Sequence, residues 1–565
     1  MASALTINIG VTGHRDIPEQ DHDALAKALK EELLATQKKY PNTTINILSG
    51  LAEGADQLMV KVAFELELAV IAILPFEISE YEKDFTTSDS QQTFRKLLTQ
   101  CTDVQVCPLI LHLPREQGYR ELGKKLVGCS DILIALWDGV INEGKLIDGT
   151  QTLPGGTADV VKMCVEGLVD ESSLLFSKPN KTYCKWLVCN RTRHGSLPAS
   201  IQSYAHIGTW QSLPISGQQD EKLQNDILSK TERFNTEALS ISDKQKADSA
   251  AYLYGKNPPQ DGVKSIQKIV DVYCVADCLA QIRQKQRFQS LKLITCLSFI
   301  AIFAQQIYAG LFPTISWFLA HVFLVGLVIF IYWKYFVGSD SKEEEFVEWR
   351  VFAEDLRVQI FWHLAGIAEH SANNYRTTKL YEMDWIVDNL NKLMLHIAAP
   401  SSHHIQFVRE AWIQDQRNYF YGQRGERGRA AECLLIAKRY QIKSIVLFVS
   451  AILLMCLSVI KIHLNLWPAF SSEVLFIVIA MAFISSALLK TFSSQMGFDE
   501  LSQRYLRTGY FFQQAMNRMA LLDKDKPDDI QTYQQVIKTI GIEALNENAA
   551  WLQLHKMNAY QIQVT

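Results

Sequence analysis

The chain has 565 residues and a formal net charge of -4, with 56 lysines and arginines interspersed among 60 acidic residues. That length exceeds one compact core and predicts two or more domains, while the mixed charge excludes the dense basic surface of a nucleic-acid groove. Eleven cysteines without a C-x-x-C pair read as free thiols in a reducing compartment.

The first 280 residues carry short apolar runs separated by glycine turns. A strand over 6–11 ends in Gly13-His14-Arg15, within "INIGVTGHR", and an amphipathic helix follows from about Gln20 to Lys39. "TINILSG" runs into "LAEGADQLMVKVAFELE", "AVIAIL" ends at Pro75-Phe76, and "DILIALWDG" precedes "LPGGTADVVKMCVEG" and a last strand, "TYCKWLVCN". Strands alternating with helices predict a Rossmann-like α/β domain with a parallel sheet wound on both faces. Ligands of such sheets bind beyond the carboxyl ends of the strands. The glycine clusters Gly10/Gly13, Gly50/Gly54, Gly139 and Gly155/Gly156 all fall at such ends. Two of them open helices, whose free N–H groups and dipole attract phosphate.

The expected ligand-binding set is therefore Thr12, Gly13, His14, Arg15, Ser49, Gly50, Glu53, Gly54, Ala55, Asp56, Pro75, Trp137, Asp138, Gly155, Gly156 and Thr157. Ser49 and Thr157 offer hydroxyls, and Arg15 offers a bidentate fork. His14 has no partner ligands at metal spacing, so no metal site is expected. Trp137-Asp138 reads either as a border to a base or ribose or as strand-end packing. Arg191 and Arg193 follow the last strand, where surface solvation is the commoner role. Gly118 to Lys125 mimics a phosphate loop, but Lys125 stands where Ser or Thr would hold Mg²⁺, so the segment reads as a solvated helix face.

Residues 201–265, with "NPPQDG", read as a connector. Four long apolar runs follow: Leu291–Tyr308, Trp317–Trp333, Ser444–Ile462 and Glu473–Leu489. Each has about the 20 residues that cross a bilayer. Tyr308, Trp317, Trp333, Tyr335 and Trp467 stand at their ends, where interfacial aromatics anchor. The runs pair as two hairpins, 291–333 and 444–489. Arg283, Lys285, Arg287 and Lys292 precede the first span, Lys334 follows the second, Lys438, Arg439 and Lys443 precede the third and Lys490 follows the fourth. The positive-inside rule then predicts a multi-pass inner-membrane protein with both termini cytoplasmic. No Asp, Glu or Arg lies at mid-membrane in the spans, which argues against an ion-coupled transporter.

The hairpins open alike, "QRFQSLKLI" against "KRYQIKSIV", and each is followed by a stretch that reads as an amphipathic helix, "FVEWRVFAEDLRVQIFWHLAGI" and "ELSQRYLRTGYFFQQAMNRMALL". With "YCVADCLAQIRQKQRFQ" and "WIQDQRNYF", this unit resembles the SLATT domains of bacterial conflict systems over about residues 269–519. One unit covers 266–425 and the second 426–565. The resemblance implies a membrane effector that assembles as a homo-oligomer and permeabilises the bilayer under control of an attached sensor.

"GVTGHR", "SGLAEGAD", "ILPF", "SDILIALWDG" and "GGTADVV" together resemble the SLOG branch of Rossmann-like folds, related to LOG and DprA proteins, over about residues 1–200. Members cleave nucleotide-derived substrates or bind nucleotide signals. SLOG domains of Thoeris-type antiviral effectors sense a cyclic ADP-ribose isomer, and melastatin-type channels join a SLOG-like region to membrane helices. LOG-type hydrolases carry Pro-Gly-Gly-x-Gly-Thr-x-x-Glu. Here Pro154-Gly155-Gly156-Thr157 is followed by Asp159 and Val160, so the catalytic glutamate position holds Val160.

The resemblances therefore imply an anti-phage effector without a catalytic residue or cofactor, which binds a cyclic ADP-ribose-like or cyclic nucleotide messenger made by a partner enzyme. The alternatives are a membrane-anchored nucleotide hydrolase and a regulated ion channel.

Overall fold

A computed structural model describes residues 4–107, 114–140, 155–168, 182–193, 195–203, 205–213, 218–255, 258–334, 342–374, 383–397, 400, 403–423, 426–464, 472–522 and 526–564. Pro154, Tyr335 and Trp467 lie outside these. The chain divides into two compact units. The first comprises 1–242, 266–275 and 370–398, and the second 243–265, 276–369 and 399–565.

In the first unit, β1 (Thr6–Gly13), α1 (His22–Lys39), β2 (Thr44–Ser49), α2 (Ala55–Glu65), β3 (Ala69–Leu74), the short α3 (Ile78–Tyr81), α4 (Ser88–Gln100) and β4 (Asp103–Val106) build one half. The other half is α5 (Arg115–Cys129), β5 (Ile132–Trp137), α6 (Thr157–Glu166), β6 (Tyr183–Val188), the short α7 (Ala199–Gln202), β7 (Trp210–Leu213) and α8 (Gln218–Ala238). The sheet order is β4-β3-β2-β1-β5-β6-β7, with only β7 antiparallel. The central strands are buried on both faces, as helices on each side require. Ile7, Ile9, Val11, Ile47, Val70 and Leu136 pack under α1 and α2. On the opposite face Leu133, Ala135, Trp186, Val160 and Cys164 pack with α6.

The stretch read as a connector contains α8, which belongs to the first unit. Asn235 caps the start of β1, accepting from Leu5 N at 2.9 Å and donating to Leu5 O at 3.0 Å. Glu232 accepts the Asn42 and Thr43 side chains beside it. Residues 384–394 contribute a further helix to the same unit; its Trp385 indole donates to Thr231 at 3.0 Å.

The second unit is helical: α9 (Asp243–Tyr254), α10 (Gln260–Ser265), α11 (Gln267–Gly310, from residue 276 on), α12 (Ile315–Tyr332) and α13 (Lys342–Leu364). The helix of the first unit at Asp384–Met394 is α14. After it come α15 (Ile405–Val408), α16 (Asp415–Tyr421), α17 (Arg429–His463), α18 (Ser472–Gln495), α19 (Phe498–Met519) and α20 (Pro527–Val564). Four of these stretches are long and apolar enough to cross a membrane: Gln267–Gly310, Ile315–Tyr332, Arg429–Lys461 and Ser472–Met519. α12 buries none of its side chains, with Phe323 70% and Ile315 72% exposed. Such continuous apolar surface suits lipid, where a helix satisfies its own backbone polar groups. Ser444 and Ser486 bond reciprocally between α17 and α18 (Ser444 Oγ to Ser486 O 2.9 Å, Ser486 Oγ to Ser444 O 2.7 Å), the polar fastening that apolar helices use when hydrophobicity gives no attraction.

The two stretches read as amphipathic helices differ. α19 buries one stripe, Ser502, Gly509, Phe512, Ala515 and Met519. α13 is buried almost all round from Phe346 to Leu364, polar residues included. Glu354 takes Arg350 and Arg357 at 2.7 and 2.9 Å, and His363 meets Ser265 Oγ at 2.8 Å, which is how that burial is tolerated.

Candidate functional site

The sheet reverses its winding between β1 and β5, which neighbour each other although β2 follows β1 in the chain. The exits of β1, β2, β3 and β5 bring Gly13–Arg15, Ser49–Gly50, Pro75 and Trp137–Asp138 to one rim, with the starts of α2 and α6 beside them.

His14 closes the crevice between β1 and β5. Its Nε2 lies 3.1 Å from Asp138 N, whose N–H it accepts when neutral, and 2.9 Å from Asp138 Oδ1, to which it donates when protonated. Both residues are buried. Trp137 is buried too, against Trp186 at 5.6 Å, with its indole donating to Val140 O at 3.1 Å. It thus packs at the strand end.

Gly13 lets α2 approach: a Cβ there would stand 2.4 Å from Ala55 Cβ and 2.7 Å from Leu136 O. Gly54 has φ +73, and a Cβ on it would stand 2.4 Å from His14 O. Ala55 N donates to that same carbonyl at 3.0 Å. The start of α2 is thus clamped onto the exit of β1. Gly54→Ala is expected to destabilise the first unit by at least about 2 kcal/mol through backbone strain and overlap, read as a lower urea midpoint of the sheet's circular dichroism.

Much of the α2 start is satisfied internally. Leu51 N donates to Ser49 Oγ at 3.0 Å and Ala52 N to Asp56 Oδ2 at 3.2 Å. The buried Asp56 carboxyl stands where an anion would meet the helix dipole. Burial pushes it up to about 7, against the pull of the Ala52 N–H and Arg15. Tyr81 donates from its hydroxyl to Gly50 O at 3.0 Å, and burial raises its phenol. Glu53 is half-buried at the mouth.

The start of α6 is more open. Gly155, Gly156 and Thr157 are half-buried; Gly155, at φ +75, donates its N–H to Asp159 Oδ2 at 2.9 Å. Asp159 is buried in the first turn of the helix, with Arg120 Nε 3.6 Å away. Val160 packs over Gly123, where a Cβ would come within 2.8 Å of it.

Tyr119, on the helix face expected to be solvated, joins these pieces. Arg15 Cζ lies 5.6 Å from its ring centroid, Phe76 meets it edge-on at 5.5 Å, and Gly155 fits against its Cβ. Its hydroxyl donates to Asp84, which Arg115 also holds at 2.8 Å while covering Phe76 at 4.3 Å. Gly118 makes room for Phe76. The only sequence hint was the pairing of a glycine with an aromatic one turn into a helix. Arg191 Nε donates to Asp16 at 2.9 Å and Arg193 lies 3.8 Å from the same carboxylate.

A guanidinium, an aromatic face and an open helix start next to one another can receive an anion carrying a ring. Fold and site define a parallel α/β domain, with an anion-suited rim, in one chain with four helices able to cross a membrane. The chain matches no protein-family profile and no characterised protein sequence.

Proposed function

We propose that the protein senses a nucleotide-derived anion at this rim and answers at a membrane. In this reading the messenger's phosphate meets the α6 start and Arg15, and its base or ribose lies along Tyr119. The observation that carries it is the juxtaposition of Arg15, Tyr119 and Gly155–Thr157. Resemblance to SLOG sensors and SLATT effectors supports an anti-phage role, with a cyclic ADP-ribose-like or cyclic nucleotide messenger from a partner enzyme. The apolar helices pair as two hairpins, termini cytoplasmic, and the polar helices beside them lie in the cytosol. Messenger binding shifts the population toward an oligomer that permeabilises the bilayer, which requires tighter binding to that state than to the resting one.

The test is membrane potential in vesicles holding the full chain, titrated with cyclic ADP-ribose isomers and cyclic nucleotides. A nucleotide should depolarise them, and Arg15→Ala should raise its half-maximal concentration about tenfold or more, the loss of a charge-assisted bond. Depolarisation indifferent to nucleotides and to Arg15→Ala overturns the reading. A second reading, nucleotide hydrolysis, is favoured by the Asp56 carboxyl titrating near neutrality, as a general acid would. Release of free base by the purified chain, lost in Asp56→Asn, would establish it.

A further inference from the structure

We propose that Lys268 is a carbon dioxide acceptor, its amine forming a carbamate while His396 takes the released proton and Asp103 supports the imidazole from behind. All three residues belong to the α/β unit. Lys268 stands in the first turn of α11, well ahead of the apolar run that opens at Leu291; His396 follows α14, and Asp103 opens β4. β4 starts at the amino-terminal edge of the parallel sheet, opposite the rim at the carboxyl ends, so the site is independent of whatever that rim binds.

Two bases meet here. Lys268 Nζ lies 2.7 Å from His396 Nε2, and the ring's other nitrogen, Nδ1, lies 3.9 Å from Asp103 Oδ2. Both bases are half-buried. Lys392, one turn before His396, instead finds a carboxylate at 2.8 Å. The carboxylate acting on Lys268 is Asp103, which lies across the imidazole, while Asp271 on the lysine's own helix accepts Gln267 Nε2 at 2.7 Å. Asp103 is itself held, accepting Val104 N at 2.9 Å and Gln105 Nε2 at 2.8 Å. Burial lowers the Lys268 amine to about 8 against the pull of Asp103; burial, and then Lys268, lower His396 to about 4. Between those values the pair shares one proton, because two like charges at this separation repel. About one amine in ten is then neutral near pH 7.

A neutral amine touching an imidazole is an activated nucleophile. Its lone pair forms an N–C bond to carbon dioxide, one C=O π pair moves onto oxygen, and the proton leaving nitrogen passes to His396 Nε2. The products are a carbamate anion and an imidazolium, so atoms and charge balance. The imidazolium then stands between two anions, the carbamate beside Nε2 and Asp103 beyond Nδ1. That arrangement selects the electrophile. An activated acyl donor would leave a neutral amide, which gives the imidazolium no counter-charge on the Nε2 side. Carbon dioxide, a linear triatomic, also needs the least room beside a half-buried amine.

The test incubates the full-length chain in detergent with isotopically labelled bicarbonate, traps carbamates with triethyloxonium and maps them by peptide mass spectrometry. The labelled ethoxycarbonyl group should appear on Lys268 at about tenfold or more the level on Lys61, an exposed lysine of α2. His396→Asn should cut the Lys268 signal about tenfold, the loss of a charge-assisted bond to the carbamate, and Lys268→Arg should abolish it. A Lys268 signal no higher than that of Lys61 in the native chain overturns the proposal, and this comparison stands even if a variant misfolds. Full labelling of Lys268 in a His396→Asn chain with native circular dichroism also overturns it. Acetylation of Lys268 by acetyl phosphate without carbamate formation would overturn it by assigning the amine to an acyl donor.

Discussion

Lys392→Met is expected to destabilise the α/β unit by about 3–5 kcal/mol, the cost of leaving a buried carboxylate without its cation. Lys392 reaches from α14 to the amino-terminal edge of the sheet, its Nζ 2.8 Å from Asp131 Oδ1 and 3.1 Å from Thr6 O. The two side chains are 4% and 0% exposed, so solvent does not screen the pair. The other carboxylate oxygen accepts Asn8 N at 2.8 Å, and Asn8 in turn donates to Cys129 O and accepts from Asn46. Removing the lysine therefore strains β1, β2 and β5 together. The double variant Lys392→Met with Asp131→Leu should recover part of the loss, because two charges then leave at once. Urea unfolding of the full chain in detergent, followed by circular dichroism, measures both. A midpoint unmoved by the single variant would refute the strut.

Asp56→Asn is expected to abolish a pH dependence. The folded carboxyl titrates near 7 against an ordinary 3.8, so between those values the folded chain holds a proton that the unfolded chain has released. Stability contributed by this group is fully present below about pH 4, falls as pH rises toward 7, and is flat above it. At pH 8 the asparagine variant should be the more stable, by on the order of 2–4 kcal/mol. Under the proposed function the same group sets the pH response of binding. An anion beside Asp56 disfavours the ionised carboxylate, so affinity should weaken from pH 6 to pH 8 in the native chain and stay level in the variant. Unfolding midpoints and nucleotide titrations at both pH values decide it; parallel curves for the two proteins would mean Asp56 is ionised throughout.

Much of the α/β fold was legible because its strands are short, apolar on both faces and set off by glycine turns. The runs at Ile45–Leu48 and Val70–Leu74 can only be central strands of a covered sheet. β4, "DVQV", was not legible: it is short, edge-placed and partly exposed, so it carries neither apolar run nor alternation. β7, "WQSL", escaped for the same reason. α13 read as one-sided because its charges recur at helical spacing, yet it is enclosed, since Arg350, Glu354 and Arg357 neutralise one another along their own helix.

Of the rim, the glycines were visible but their reasons were not. Gly13 and Gly54 are required by the approach of α2 to β1, and His14 and Trp137 serve the joining of strands, while Tyr119 enters from a helix whose sequence gives little sign of it. Composition and periodicity alone determined the parallel sheet and the four apolar helices, because both follow from which side chains must leave water over a few neighbouring turns. Only the tertiary structure decided that Lys392 neutralises Asp131, 261 positions away, and that Asp56 takes up the dipole of α2. Such pairings depend on where the folded backbone brings distant polar groups out of solvent, and no local pattern along the chain records that.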